Sequence, residues 1–261
     1  PHPLPALAAV TVAESALCAL LMWRVSSRHL AMGIRILRLP EAKHLVDLAR
    51  LVSPMLLSAL TIAIYSRIDV FMLGRMLGSE AAGLYTAGSL LSEGFYVVPM
   101  ALMTAAAPRL ALLFNQDRAR FESGIFRLLR ILSAAGLLIA LAVTWLAPFV
   151  VPQLFGYEFI EATGILQIHI WSTWAVFISS ASDPWYINND LRRLYLVKTS
   201  TAAVLNVVLN LILIPCWRGE GAAMATLIAY AVSAFGIGTL WPQTRPLFRM
   251  QVRAALGYTE K

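Results

Sequence analysis

Two charged residues, Arg67 and Asp69, lie inside a stretch that is otherwise apolar enough to cross a bilayer. A charge at the centre of a spanning helix costs at least ~2.5 to 3.5 kcal/mol on insertion scales, so it usually has a partner and a function. The planar guanidinium of Arg67 suits a phosphate or carboxylate, whereas the carboxylate of Asp69 suits a proton or a cation such as Na⁺. We therefore predict a polar site within a membrane-embedded helical hairpin that turns at Gly78.

Glu93 is the predicted partner of Arg67. Arg67 lies 11 residues before Gly78 and Glu93 lies 15 residues after it, so at ~1.5 Å rise per residue their depths differ by only about 6 Å. Arg67 and Asp69 are two residues apart and therefore point to different sides of their helix. Tyr96 extends the polar stripe that contains Glu93. A buried ion pair without any transport role is the alternative interpretation.

Two later apolar runs also carry polar side chains. His169, Ser172 and Asp183 belong to a stripe along the fifth predicted span, and Asn206 and Asn210 share one face of the sixth. Polar residues inside spans mark pathways or bond between helices, and the sequence favours bonding for the two asparagines. The candidate substrate-pathway residues are Arg67, Asp69, Glu93, Tyr96, His169, Ser172, Asp183, Asn206 and Asn210, and the candidate ion-coupling residues are Glu14, Asp69 and Glu93.

Composition defines the class of protein that holds these residues. Of the 261 residues, 59% are hydrophobic and 13% are charged, and the mean hydropathy is +0.71. Soluble domains carry roughly 25% charged residues, so we predict an all-α integral membrane protein. A hydrocarbon core of ~30 Å requires about 20 apolar residues per helix. The seven predicted spans are residues 4–23, 48–73, 81–112, 126–151, 161–182, 194–214 and 219–240.

The distribution of basic residues orients these spans. Of the 21 lysines and arginines, 18 fall in the segments 24–50, 109–130, 183–198 and 241–261. This alternation is the positive-inside pattern, which places those segments in the cytoplasm. We therefore predict a multi-pass protein of the bacterial inner membrane with a periplasmic N-terminus and a cytoplasmic C-terminus. The net charge of +7 has this origin, and we expect no nucleic-acid partner.

Several enzyme and cofactor classes lack support in the sequence. The two cysteines, Cys18 and Cys216, suggest neither a disulfide framework nor a metal site. A membrane glycosyl- or acyltransferase would need a catalytic carboxylate or histidine constellation, often with a metal, and no paired-aspartate motif is present. We expect no catalytic residue, no metal and no cofactor, and hence not an enzyme.

Short motifs along residues 40–240 resemble the polysaccharide and O-antigen flippase family of the multidrug/oligosaccharidyl-lipid/polysaccharide exporter superfamily. The resemblance depends on the order and spacing of the motifs, since none is diagnostic alone. They are Ser53-Pro54, the run from Arg67 to Gly74, Ala82 to Tyr85, Asn206 with Asn210, Ile214-Pro215, and Gly221 to Thr226.

This resemblance implies a bundle of two six-helix lobes that works by alternating access. Residues 1–25 would be the last helix of an otherwise missing N-terminal lobe, 26–50 a basic amphipathic linker on the cytoplasmic surface, and 51–261 the C-terminal lobe with its tail. An ordinary solvated loop is the alternative for 26–50. The periplasmic N-terminus inferred from charge agrees with a missing lobe.

The family substrate implied is an undecaprenyl-pyrophosphate-linked oligosaccharide, moved across the inner membrane for cell-surface polysaccharide or lipopolysaccharide synthesis. The implied partners are this lipid-linked sugar, membrane lipids, the missing lobe and polysaccharide polymerase machinery. Three interior acids, Glu14, Asp69 and Glu93, face one interior cation, Arg67, so a pyrophosphate would require cations from the other lobe or protonated acids. The alternatives are a cation-coupled multidrug exporter and a non-functional fragment or scaffold.

Cysteine labelling tests the predicted topology. In a background without the native cysteines, Gly78→Cys and Gln153→Cys should react with an impermeant thiol reagent added from the periplasm, because both residues lie in the loops that lack the basic excess. Asp117→Cys and Gln243→Cys should stay unlabelled until the membrane is permeabilised. The reverse labelling would contradict the assignment of the basic loops to the cytoplasm.

Overall fold

The computed structural model describes residues 4–29 and 42–258. All regular structure in these ranges is helical, which confirms the predicted all-α class. The helices are α1 (Leu4–His29), α2 (Ala42–Leu77), α3 (Ser79–Glu93), α4 (Val97–Gln116), α5 (Arg118–Phe155), α6 (Ala162–Asn188), α7 (Arg192–Ala231), α8 (Ile237–Leu240) and α9 (Arg245–Ala255).

The chain divides into two compact units, Pro1–Arg50 and Leu51–Lys261. The first contains α1, whose described side chains at residues 12–24 are all exposed. Residues 30–41 of the predicted linker lie outside the described residues, and its last part, 42–50, forms the opening turns of α2 rather than a separate helix. The second unit holds the rest of α2 and the helices that follow it.

Four helical stretches in the described residues are long and apolar enough to cross a membrane. They are Leu48–Leu77, Ser79–Gln116, Arg118–Phe155 and Arg192–Leu240. The predicted first and fifth spans are the helices α1 and α6, which are not among these four. The chain is thus a multi-pass membrane protein, and the count of seven crossings stays a prediction.

The stretch Arg192–Leu240 folds back on itself. Trp217 and Arg218 leave the helical conformation, and Arg218 has a φ of 49°. Asn206 Nδ2 lies 3.2 Å from Thr226 Oγ1, although 20 residues of straight helix would separate them by ~30 Å. α7 is therefore a hairpin of two packed arms, with its break at the turn predicted between the sixth and seventh spans.

Helix α6 lies at the centre of the second unit. More than half of its residues are buried, and it packs against α3, α4, α5 and α7. Glycines on its neighbours allow this close approach. A Cβ atom at Gly136 of α5 would lie 3.1 Å from Trp174 Cα, and one at Gly88 of α3 would lie 3.0 Å from the carbonyl oxygen of Ala162. Small residues serve this packing role in membrane bundles.

The turns between helices lie at two opposite ends of the second unit. At one end, Arg118 Nη2 donates to Asn189 Oδ1 at 2.9 Å, which joins the α4–α5 and α6–α7 turns. The 38 residues of α5 lead away from this end over ~57 Å. At the other end, a cavity of about 520 Å³ is lined by residues of three turns, including Glu80, Glu161 and Glu220.

The C-terminal segment forms an element that we did not predict. Residues 241–261 were expected to be a basic tail, but Arg245–Ala255 is an amphipathic helix, α9. Leu247 is fully buried, and Gln251 Nε2 donates to Ser182 Oγ at 2.8 Å and to the carbonyl oxygen of Ala234 at 2.9 Å. Its inward residues recur at spacings of three and four, so the pattern was present in the sequence.

Gly221 should tolerate no side chain, because a Cβ there would lie 2.3 Å from the backbone oxygen of Leu213 in the other arm of α7. Overpacking of this kind costs ~1 to 3 kcal/mol. We therefore expect Gly221→Ala to lower the melting temperature and the monodisperse yield of the detergent-purified protein.

Gly83→Ala is the matched control. No atom outside its own helix lies within 4 Å of a Cβ at this position, and alanine in an exposed helix stabilises by ~0.5 to 1 kcal/mol relative to glycine. Equal melting temperatures for the two variants would contradict the close packing of the α7 arms.

Candidate functional site

Arg67 and Glu93 form the predicted ion pair. Arg67 Nη1 lies 3.6 Å from Glu93 Oε2, so the depth calculation from helical rise gives the right partner. The pair is not buried in the described chain, where 67% of the Arg67 side chain is exposed. The exposed residues Ile64 and Phe71 lie three residues before it and four after it, on the same face of α2.

Asp69 points into the bundle, where four polar residues surround it. Its carboxylate accepts hydrogen bonds from Thr226 Oγ1 at 2.6 Å, from Tyr85 OH at 2.9 Å and from Asn210 Nδ2. Asn206 Nδ2 donates to Thr226 Oγ1, and Asn210 Nδ2 also donates to Asn206 Oδ1 at 3.1 Å. We name these five residues the Asp69 cluster.

The oxygen atoms of the Asp69 cluster are of the kinds that bind a cation. Carboxylate, amide and hydroxyl oxygens suit hard cations, and a carboxylate also takes a proton. Asn210 Oδ1 is buried and has no hydrogen-bond partner in the structure, so one amide oxygen of the cluster is free to accept. The cross-helix bonding favoured for Asn206 and Asn210 is confirmed, and it includes the candidate coupling acid.

The polar stripe on α6 divides into two parts. His169, Ser172 and Thr173 are buried against α3 and the short 3₁₀ turn after it. Ser92 Oγ lies 2.5 Å from His169 Nδ1, and Tyr96 OH lies 3.1 Å from Ser172 Oγ. These groups satisfy one another between helices, so their candidate role in a substrate pathway stays a prediction.

The second part of the stripe lines a cavity of about 330 Å³ within the second unit. We name this space the tyrosine cavity, because four tyrosines contribute to its wall. Hydroxyl groups of four serines and one carboxylate complete its polar surface. Its tyrosine, serine and aspartate residues are Tyr65, Tyr96, Tyr195, Tyr230, Ser66, Ser179, Ser180, Ser233 and Asp183.

Lys198 neutralises the acid of this cavity. Its Nζ atom lies 3.4 Å from Asp183 Oδ1 and donates to Ser179 Oγ at 2.7 Å. The ammonium group also lies 5.2 Å from the ring centroids of both Tyr186 and Tyr195. Lys198 belongs to both the basic segment 183–198 and the predicted span 194–214, and it lies buried within α7, 2% exposed.

Other sequence-derived candidates stand apart from these groups. Glu14 lies on α1, within the Pro1–Arg50 unit, and its side chain is exposed. Its role in ion coupling stays a prediction. Sequence reasoning missed Tyr85, Thr226 and Lys198 as site residues. Thr226 and Tyr85 lie within the motifs that carried the family resemblance, but only the folded hairpin of α7 and the turn at Gly78 reveal that both contact Asp69.

Comparisons with known proteins give the family. An uncharacterized membrane protein of Methanocaldococcus jannaschii is 26% identical to this chain over 200 residues, which cover 74% of the chain and 45% of that relative. The chain thus spans less than half of the relative's length. No solved structure matches it. Residues 3–163, more than half of the chain, match a family described as polysaccharide biosynthesis proteins, and the chain therefore belongs to that family.

Proposed function

We propose that the chain is part of a flippase that moves undecaprenyl-pyrophosphate-linked oligosaccharide across the cytoplasmic membrane by alternating access. Its family and its multi-pass helical structure support a membrane role in polysaccharide synthesis. The observation that carries the proposal is the tyrosine cavity, a hydroxyl-rich space inside an otherwise apolar bundle. On this proposal the chain is a transporter rather than an enzyme, and polysaccharide polymerase machinery would act on its product.

The chemistry of the tyrosine cavity suits uncharged sugar. A tyrosine offers an apolar ring face and a hydroxyl that donates and accepts, which matches the CH faces and hydroxyls of a sugar ring. Because Lys198 pairs with Asp183, the cavity wall carries no net charge. A cavity for cationic drugs would be expected to keep a free carboxylate.

The exposure of Arg67 is an argument for a second lobe. A charged side chain rarely faces lipid, because spanning segments turn such residues toward protein or a water-filled cavity. Arg67 lies on an exposed face of α2, within the candidate span Leu48–Leu77. We propose that this face lines a central cavity shared with an N-terminal lobe, so that 51–261 is the C-terminal lobe. The coverage of only 45% of the archaeal relative fits such a division.

The Asp69 cluster favours cation coupling, which is compatible with either a sugar flippase or a multidrug exporter. We propose that Asp69 takes up Na⁺ or a proton when the bundle is open to one side of the membrane. The multidrug exporter remains the second candidate because Asp69 and Glu93 are both acids of the membrane region. The tyrosine cavity favours the flippase.

Transport by the complete gene product in vesicles tests the proposed substrate. We expect movement of a fluorescent undecaprenyl-pyrophosphate oligosaccharide and none of a cationic dye.

Arg67→Ala should abolish flipping while the protein stays inserted and abundant, since it removes the planar donor for pyrophosphate. Arg67→Lys should rescue only partly, and Glu93→Gln should be milder.

A double variant separates this role from a structural one. If the pair only stabilises the fold, Arg67→Met/Glu93→Leu should restore both protein level and flipping, because no charge is left unpaired. Flipping by that double variant would count against a transport role for Arg67. Transport of the dye instead of the lipid-linked sugar would favour the multidrug exporter.

The coupling role of Asp69 has a separate test. We expect flipping by the wild type to accelerate when a Na⁺ or proton gradient is imposed, and Asp69→Asn to flip slowly and at the same rate with or without the gradient. The carboxamide keeps the shape of the side chain but carries no charge. Thr226→Ser, which retains the hydroxyl, is the control that should still respond. A gradient response in Asp69→Asn equal to that of the wild type would exclude Asp69 as the coupling acid.

A further inference from the structure

A third cavity, of about 660 Å³, lies between α4 and α5. Its wall carries three arginines, Arg109, Arg120 and Arg127, and the remainder is largely apolar. We name it the arginine pocket. Its apolar residues are Leu102, Ala105, Ala106, Leu110, Leu113 and Leu128.

The helix geometry explains why these arginines converge. Arg120 and Arg127 are seven residues apart on α5, so they share one face, and Gly124 lies between them on that face. Gly124 has no side chain to fill the pocket, and a Cβ there would lie 3.0 Å from Leu110 Cδ2 of α4. Arg109 approaches from α4, on the opposite wall.

The charges of the pocket are mostly uncompensated. Arg120 Nε pairs with Asp117 Oδ2 at 3.1 Å, whereas Arg109 and Arg127 have no acidic partner within the part of the chain that the structure describes. Three guanidinium groups and one carboxylate leave two positive charges. The neighbouring Arg118 differs, since it is held by Glu122 and Asn189.

A helix of the length of α5, centred in the bilayer, would carry these arginines at the depth of the lipid headgroups. α5 has 38 residues and so measures ~57 Å, whereas the hydrocarbon core is ~30 Å thick, which leaves ~13 Å beyond each boundary of a centred helix. Arg127 follows Arg118 by nine residues, or ~13 Å, which brings it close to that boundary. The apolar wall of the pocket extends from there along α4, toward the hydrocarbon.

We propose that the arginine pocket binds the phosphate headgroup of an anionic membrane lipid, with the lipid chain along its apolar wall. Guanidinium groups bind phosphate oxygens in a bidentate manner, and basic pockets between spanning helices suit anionic headgroups. If the proposed flippase function holds, this pocket is where the pyrophosphate lipid is first held. The binding site itself is argued from the pocket alone.

Native mass spectrometry of the intact protein tests the site. Protein is purified in phosphatidylcholine micelles, with or without phosphatidylglycerol as the anionic probe. The wild type should retain phosphatidylglycerol in preference to phosphatidylcholine. Arg109→Gln/Arg127→Gln should bind it at least about tenfold more weakly, because two charge-assisted hydrogen-bonding groups are lost. Arg193→Gln/Arg249→Gln removes the same charge from exposed positions outside the pocket and should behave as the wild type.

Equal weakening in both double variants would mean general charge attraction and would overturn the proposal, as would unchanged binding in the pocket variant. Inorganic pyrophosphate bound as tightly as phosphatidylglycerol would indicate a soluble-phosphate site instead.

A photoreactive phosphatidylglycerol tests the site on the wild type alone, so the result does not depend on whether a variant folds. Its covalent adducts should map to residues 102–128. Lipid retention without flipping would count against the proposed function only, and flipping without retention against this site only.

Discussion

The buried carboxylate of Asp69 is the constraint on which the second unit depends. No bulk water reaches a bilayer interior, and an ion there without hydrogen-bond partners would cost several kcal/mol. Its donors come from Tyr85 on α3 and from Asn210 and Thr226 on the two arms of α7. One acid therefore connects α2, α3 and the α7 hairpin, and any movement of one arm changes its hydrogen bonds. A cation or proton taken up at this carboxylate would alter the same contacts.

Interactions between two helices joined by a single turn could be predicted from the sequence. Interactions that depend on how all the helices pack together could not. The pairing of Arg67 with Glu93 follows from helical rise on the two sides of Gly78, and this pair is present at 3.6 Å. The bonds from Asn210 and Thr226 to Asp69 join residues 141 and 157 positions apart, which no local periodicity specifies. The burial of Lys198 was not predicted either, because it depends on pairing with the carboxylate of Asp183 in the preceding helix.

The stripe on α6 shows how one sequence pattern serves two structural roles. His169 and Ser172 face polar side chains of α3 and of the 3₁₀ turn that follows it. Their hydrogen bonds are therefore made within the bundle. Ser179 and Asp183 are opposite the gap between α2, α4 and α7, so they line the tyrosine cavity. Spacing of three and four residues predicts a shared helix face. What covers that face depends on the neighbouring helices, which the spacing does not encode.

On the proposed function, the distribution of charge would separate the two ends of a lipid-linked sugar. The interior carries acids that are paired or hydrogen-bonded, since Lys198 neutralises Asp183 and three donors hold Asp69. The Lys198–Asp183 pair leaves the tyrosine cavity without net charge, which suits a neutral glycan, whereas Asp69 is hydrogen-bonded but has no cation beside it among the described residues. Two uncompensated cations of the described chain, Arg109 and Arg127, lie in the arginine pocket. On the proposed function, a pyrophosphate would first be stabilised there and would then be passed to Arg67, so that a guanidinium group compensates its charge at both places.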